Sequence, residues 1–282
     1  MPRVAVRCDS GETAVRGIDF AYRAMKRTTV AALLAALALP LSARAETPAP
    51  SCETPLDLIR LANPLSHVAQ KLTAGAPITI VAIGSSSTAG AGASSPAKTY
   101  PSQLAVELKK QFPNNSITVL NRGVGGEEIG DMLKRFDKAV VAAKPDLVLW
   151  QLGTNSLIRD HPLADHGAAI RDGLNKIRAT GADVVLIDPQ FAPKVIVKAE
   201  AEHMVELIAT TAKVENVDLF RRFDVMKRWY NDDHMKFETF VSRDGLHMND
   251  WSYACFAKGL GLAIAEAAER PLMSAAIMSV VP

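Results

Sequence analysis

The 282-residue sequence has no run of lysine and arginine and no basic stripe, and its formal net charge is only +2. Nothing in the charge pattern therefore points to a nucleic-acid partner. There are three cysteines, Cys8, Cys52 and Cys255, and none stands in a cluster at metal-ligand spacing. His161 and His166, in RDHPLADHGAA, also lack clustered cysteine or carboxylate neighbours. They read as solvated loop histidines, with a metal site as the weaker alternative. Residues 123–130, GVGGEEIG, follow an apolar run but lack the G-x-G-x-x-G spacing and a P-loop lysine, which leaves a phosphate-binding turn without support. No internal repeat is visible, and no low-complexity tract beyond one proline-rich linker, ETPAPSCETP at 46–55. The apolar stretch from Val30 to Leu41 is too short for a comfortable membrane span.

What is present is ordinary for a soluble globular chain: 48% hydrophobic and 22% charged residues, enough for one well-buried domain or at most two small ones. The first 45 residues stand apart. MKRTTVAALLAALALPLSARAE begins at Met25 with Lys26 and Arg27, runs apolar, and ends in Ala43-Arg44-Ala45. That is the layout of a secretory signal peptide, with an uncleaved anchor as the alternative, and translation starting at Met25 is the matching hypothesis. Residues 1–45 hold seven of the 32 basic and three of the 30 acidic side chains, so cleavage after Ala45 leaves 25 and 27, a net charge of −2. Export places the mature chain in the periplasm or outside the cell.

Beyond the linker, a short helix is expected from Leu56 to about Leu72. Apolar, β-branched runs then recur at Ile78–Ile83, Ile117–Leu120, Leu147–Leu152, Val184–Ile187 and Val217–Phe220, each of the length and composition of a strand buried on both faces. Helical segments separate them at about 101–112, 127–143, 165–179, 198–213 and 250–268. In the second, Ile129, Leu133, Phe136 and Val140 make one apolar stripe. This alternation implies an α/β fold, a five-stranded parallel sheet with helices on both faces in a three-layer α/β/α sandwich. The ligand site of such a sheet lies outside the carboxyl ends of its strands.

The loops at those ends hold an acyl-transfer set. Gly84-Ser85-Ser86-Ser87-Thr88-Ala89-Gly90 follows the first strand, NRGVGGEE (121–128) the second and LGTNS (152–156) the third. SRDGLHMND (242–250) precedes the last helix. Together they offer a hydroxyl nucleophile, an imidazole base, an acid to orient it, and donors for an oxyanion. The four loops resemble the four sequence blocks of the SGNH hydrolases, the GDSL-type esterases and lipases, over roughly residues 76–268. IGSSSTAG follows the family's IGDSxTxG apart from Ser85, which stands where the family has aspartate. NRGVGG matches Asn-x-Gly-x-x-Gly, GTN matches Gly-x-Asn, and Asp244-x-x-His247 matches Asp-x-x-His.

The resemblance implies the flavodoxin-like fold and an ester-hydrolysing enzyme that needs no metal or cofactor. It implies Ser86 as nucleophile, His247 as base, Asp244 as the acid that holds the imidazole, and the N–H of Ser86, the N–H of Gly126 and the amide of Asn155 as oxyanion donors. With serines on both sides, Ser85 and Ser87 remain alternative nucleophiles. A histidine base must be neutral to accept a proton, so kcat/KM is expected to rise through an apparent pKa of roughly 6 to 7.5. The substrate implied is a glycan or small-molecule ester. An O-acyltransferase with the same triad and a catalytically silent carbohydrate-binding module are the alternatives. Oligomeric state is not legible.

Domain organisation is expected as residues 1–45 leader, 46–75 linker and helix, 76–270 hydrolase domain and 271–282 tail. Cys52 and Cys255 form the only cysteine pair left after export and are expected to be bonded, two free thiols being the alternative. Asp146 reads as the end of a loop before a strand. Trp229, Tyr230 and Phe237 read either as a pocket wall or as packing beneath a loop.

Overall fold

A computed structural model describes residues 50–271. The signal-peptide layout, the first residues of the linker and all of the tail after its first residue lie outside the described residues.

The five apolar runs form one parallel sheet of order β2-β1-β3-β4-β5, with β1 Ile78–Gly84, β2 Ile117–Gly123, β3 Leu147–Gln151, β4 Asp183–Ile187 and β5 Asp218–Phe220. β1 and β3 in the middle are apolar and almost wholly buried, because helices cover both faces. β2 corrects the expectation of burial on both faces. It is an edge strand, mostly half-exposed, with Asn121 and Arg122 open to solvent.

Before the sheet, the single helix expected over 56–72 is two, α1 Leu56–Ile59 and α2 Ser66–Thr73. Pro64 lies in the break, where it has no N–H to continue a helix, and the Asn63 N–H goes instead to Asp218 Oδ1 at 2.8 Å. The next helices are α3 Ser86–Ala89 and α4 Tyr100–Gln111. The continuous helix expected over 127–143 is broken into α5 Ile129–Lys134, α6 Phe136–Ala139 and a 3₁₀ turn. Its stripe still faces inward, with Ile129, Phe136 and Val140 buried. The break falls at Arg135, whose guanidinium grips both carboxylate oxygens of Glu127 and the Arg122 carbonyl. Then come α7 Thr154–Ile158, α8 His166–Arg178, α9 Pro193–Ile196, α10 Ala201–Val214, α11 Arg222–Asn231, α12 Phe237–Phe240 and α13 Asp250–Glu269.

α4 and α13 pack against each other over one face of the sheet, where Phe256 meets Tyr100 and Phe220 edge-on at 5.0 and 5.2 Å. α5, α8 and α10 cover the other, with Phe136 edge-on to Trp150 at 5.3 Å. The architecture is the α/β/α sandwich expected from the sequence. Cys52 and Cys255 are bonded, with Cα atoms 5.1 Å apart across 203 residues. Asp146 is structural: it accepts from the Thr79 N–H and from His67, each at 2.8 Å, and pairs with Lys71. Among the described residues no helix is long and apolar enough to cross a membrane.

Candidate active site

In the order 2-1-3-4-5 the chain leaves β1 toward β2 and returns on the other side at β3, so the crevice between β1 and β3 is the topological switch point. The serine triplet emerges there. Ser85 is 2% exposed, and both its N–H and its hydroxyl donate to Gln151 Oε1 at 3.0 Å. Ser87 is 1% exposed. Ser86, at the first position of α3, is the one of the three that reaches the surface, and its Oγ lies 2.7 Å from His247 Nε2. Ser85 thus occupies the family's aspartate position as an internal brace.

The imidazole is delivered by a tight turn before α13. Val241 and Met248 form an antiparallel bridge, and the Ser242 N–H closes the turn on the His247 carbonyl at 2.7 Å. Asp244 Oδ1 accepts from Ser242 Oγ at 2.7 Å and from the N–H groups of Leu246 and His247 at 2.9 Å. Its Oδ2 faces His247 Nδ1 at 2.5 Å. Partial burial on its own would raise the Asp244 carboxyl. The bonds from the His247 ring and backbone, from Ser242 and from Leu246 outweigh it and hold the group well below the usual carboxylate range. The turn is anchored from outside by Gln190, which donates to the Leu246 carbonyl at 3.2 Å. Gln190 is itself buried and accepts from Thr154 Oγ1 at 3.0 Å and from the buried Arg222 at 2.9 Å.

The three expected oxyanion donors come from three strand ends. Among the described residues the N–H groups of Ser86 and Gly126 have no hydrogen-bond acceptor. Gly126 has φ +81°, a conformation that glycine adopts without the strain of a Cβ. Asn155, in α7, gives one amide hydrogen to the Glu127 carbonyl at 2.8 Å, and a primary amide has a second to offer. The close approach that brings β2 to α3 depends on Gly123, where a Cβ would sit 2.1 Å from the Ala89 nitrogen. Ser86, His247 and Asp244 are therefore linked in one hydrogen-bonded chain, while Gly126 and Asn155 are linked through the Glu127 carbonyl.

Several residues at this rim have no counterpart in the reading of the sequence. Gln151 braces Ser85 and Gln190 the histidine turn, and Arg222 donates to Gln190. Glu128 accepts from Ser156 Oγ and faces His161 Nδ1, both at 2.9 Å, and pairs with Arg159. His161 is thus tied to a carboxylate, whereas His166 starts α8. Among the described residues no group of three or more His, Cys, Asp or Glu side chains is placed to hold a metal ion. Trp229 lies in the core, edge-on to Phe240 and Trp251, which resolves its reading as packing. Tyr230 is exposed and stacks on Phe237 at 4.4 Å, with Phe191 beside both.

Known proteins resemble this chain in sequence and in fold. An arylesterase of Vibrio mimicus is 29% identical over 96 residues, 34% of this chain and 47% of that one. An acetylxylan esterase of Geobacillus stearothermophilus is 31% identical over 64 residues, 23% of this chain and 29% of that one. The chain therefore spans less than half the length of these curated relatives. In three dimensions a two-domain esterase active on acetylated mannans superposes with a TM-score of 0.62 at 20% identity, over 75% of this chain and 56% of that one. An acetyl xylan esterase from Geobacillus stearothermophilus does so with a TM-score of 0.58 at 18% identity, over 66% and 94%. At these identities the structural matches establish the fold alone, the three-layer α/β/α sandwich described above. The profile of the non-GDSL lipase-like family matches residues 51–270, and serine at 85 in place of the GDSL aspartate fits that description. The chain belongs to the non-GDSL lipase-like family.

Proposed function

We propose that the chain is a serine esterase that removes acyl groups from oxygen esters through an acyl-enzyme. The observation that carries this reading is the chain of 2.7 and 2.5 Å contacts from Ser86 through His247 to Asp244. In the proposed mechanism Ser86 Oγ attacks the ester carbonyl carbon while His247 Nε2 takes its proton. Asp244 keeps the other ring nitrogen protonated and stabilises the imidazolium that forms. Negative charge on the former carbonyl oxygen is met by the N–H of Ser86, the N–H of Gly126 and the free amide hydrogen of Asn155. Collapse expels the alcohol, which receives the proton from His247. Water, deprotonated by the same ring, then attacks the acyl carbon and releases the acid.

The substrate we infer is a short acyl ester, foremost an acetyl group on a glycan. The acetylxylan esterase relative and the fold shared with an esterase active on acetylated mannans support it. A disulfide together with the leader layout supports a secreted, mature chain beginning near Glu46. N-terminal sequencing of the native protein checks the start. For the activity, the test is a panel of 4-nitrophenyl esters of rising chain length beside acetylated xylan and mannan. The expected result is turnover highest for acetyl esters, release of acetate from a glycan, and no turnover by Ser86→Ala. Equal activity in Ser86→Ala contradicts the mechanism. Turnover confined to long acyl chains contradicts the substrate class.

A further inference from the structure

Two of the three oxyanion donors sit on different loops, and the structure contains a device that sets one against the other. The Gly126–Glu128 turn after β2 and the Asn155–His161 segment after β3 are joined by five side-chain contacts. Three of them converge on the Glu128 carboxylate. Ser156 Oγ and His161 Nδ1 meet Oε2 at 2.9 Å, and Arg159 Nη1 meets Oε1. Arg159 Nη2 also donates to the Gly126 carbonyl at 2.8 Å. Glu128 is two residues from the Gly126 N–H, and Ser156 directly follows Asn155. The turn's own backbone closure is loose, with the Glu127 N–H 3.4 Å from the Val124 carbonyl, so beyond the Val124 N–H bond to the Gly84 carbonyl at 3.0 Å its shape is set by these cross-loop bonds.

We propose that Glu128 is a positioning residue for the oxyanion site, its carboxylate fixing the Gly126 N–H and the Asn155 amide at one spacing through Ser156 and Arg159. The inference rests on the esterase reading above and deepens it. A donor pair held before the reaction starts costs no reorganisation when charge develops, which is the source of its catalytic value. The cluster also has an internal balance. A carboxylate this near a developing oxyanion opposes the reaction unless a cation offsets it, and Arg159 is that cation. Arg159→Ala leaves the Glu128 charge without its guanidinium partner and frees the Gly126 carbonyl. It is therefore expected to harm the reaction more than Glu128→Gln, which removes the charge itself. Glu128 is 18% exposed at its side chain and Arg159 44%. Glu128→Gln keeps the side chain's volume and one acceptor oxygen, so the effect is expected in the rate and not in the melting temperature.

The experiment compares wild type, Glu128→Gln, Arg159→Ala and Ser86→Ala on 4-nitrophenyl acetate, together with their affinity for an arylboronic acid, whose serine adduct is tetrahedral and places an oxygen among the oxyanion donors. For Glu128→Gln the expected kcat is roughly ten- to a hundredfold lower, the cost of a small misplacement of catalytic groups. KM and the melting temperature stay where they are, and boronate affinity falls by the same factor as kcat. In an Asn155→Ala background the further loss from Glu128→Gln is smaller than in wild type, because only the Gly126 donor is left to misplace. Wild-type kcat and boronate affinity in Glu128→Gln overturn the inference, as does a loss confined to KM. A wild-type protein that neither hydrolyses the ester nor binds the boronate overturns the esterase reading itself, a result distinct from the other two.

Discussion

Ser86 differs from its two serine neighbours in surroundings and not in chemistry. Gln151 occupies the Ser85 hydroxyl and burial removes Ser87, which leaves one hydroxyl facing an imidazole. The same logic applies to Asp244. A carboxyl held below its usual range contributes to the turn at every pH above its unfolded value, and that contribution disappears only as the pH falls through the lower native value. The ring of His247 therefore stays held as the pH falls through the ordinary carboxylate range. Carbon NMR of the Asp244 carboxyl is expected to show it still ionised at about pH 4, near the usual aspartate midpoint; a carboxyl half-protonated there contradicts the account. At this scale the sequence was informative where a residue type carries its own chemistry: Ser86, Asp244 and His247 stand in motifs with fixed spacing. Gln151, Gln190, Glu128 and Arg159 were not legible. Their roles come from partners that lie 28 to 66 residues away in sequence, and glutamine, glutamate and arginine are common on any surface.

Among elements, the strands were the most legible, since short β-branched runs have few other uses in a helix-rich chain. Two features escaped for physical reasons. α11 buries Arg222, Phe223, Val225, Met226 and Trp229, but the interspersed Asp224, Lys227 and Arg228 obscured the apolar face, and no helix was expected there. The break at Arg135 leaves the apolar stripe intact, so periodicity alone cannot reveal it, whereas Pro64 in the first helix was a readable stop. The packing of β2 on α3 is set by one hydrogen atom at Gly123. A Cβ there would lie 2.1 Å from the Ala89 nitrogen and 2.6 Å from the Thr88 carbonyl carbon, both of them backbone atoms that cannot rotate away. Gly123→Ala must therefore push α3 outward. It is expected to lose about 1–3 kcal/mol of stability in denaturant melts, as overpacking does. Turnover is expected to drop by about a hundredfold. A variant with wild-type turnover shows that the contact does not set the position of Ser86.

Over the whole molecule, the Cys52–Cys255 bond ties the N-terminal segment to α13, the helix that follows the histidine turn. Cys255 is buried in that helix while the segment around Cys52 has few buried side chains, and the bond holds it together with the donation from Trp251 Nε1 to the Pro50 carbonyl at 3.1 Å. Closing a loop across 203 residues is expected to contribute about 2–4 kcal/mol. Reduction, or the double substitution Cys52→Ser with Cys255→Ser, lowers the melting temperature while leaving ester turnover near wild type at low temperature, since neither cysteine touches the triad. An unchanged melting temperature contradicts a stabilising role. The cysteine pair was legible from simple counting, because only Cys52 and Cys255 remain once the expected leader is set aside. The sandwich was legible from strand–helix alternation, whereas the strand order was not read from the sequence.

The most direct test of the proposed chemistry is to treat the oxidised protein with a fluorophosphonate and map the adduct by peptide mass spectrometry. One adduct per chain is expected, on Ser86, formed together with complete loss of ester turnover and greatly slowed in His247→Ala. An adduct on Ser85 or Ser87, or full turnover in a chain labelled at Ser86, contradicts it.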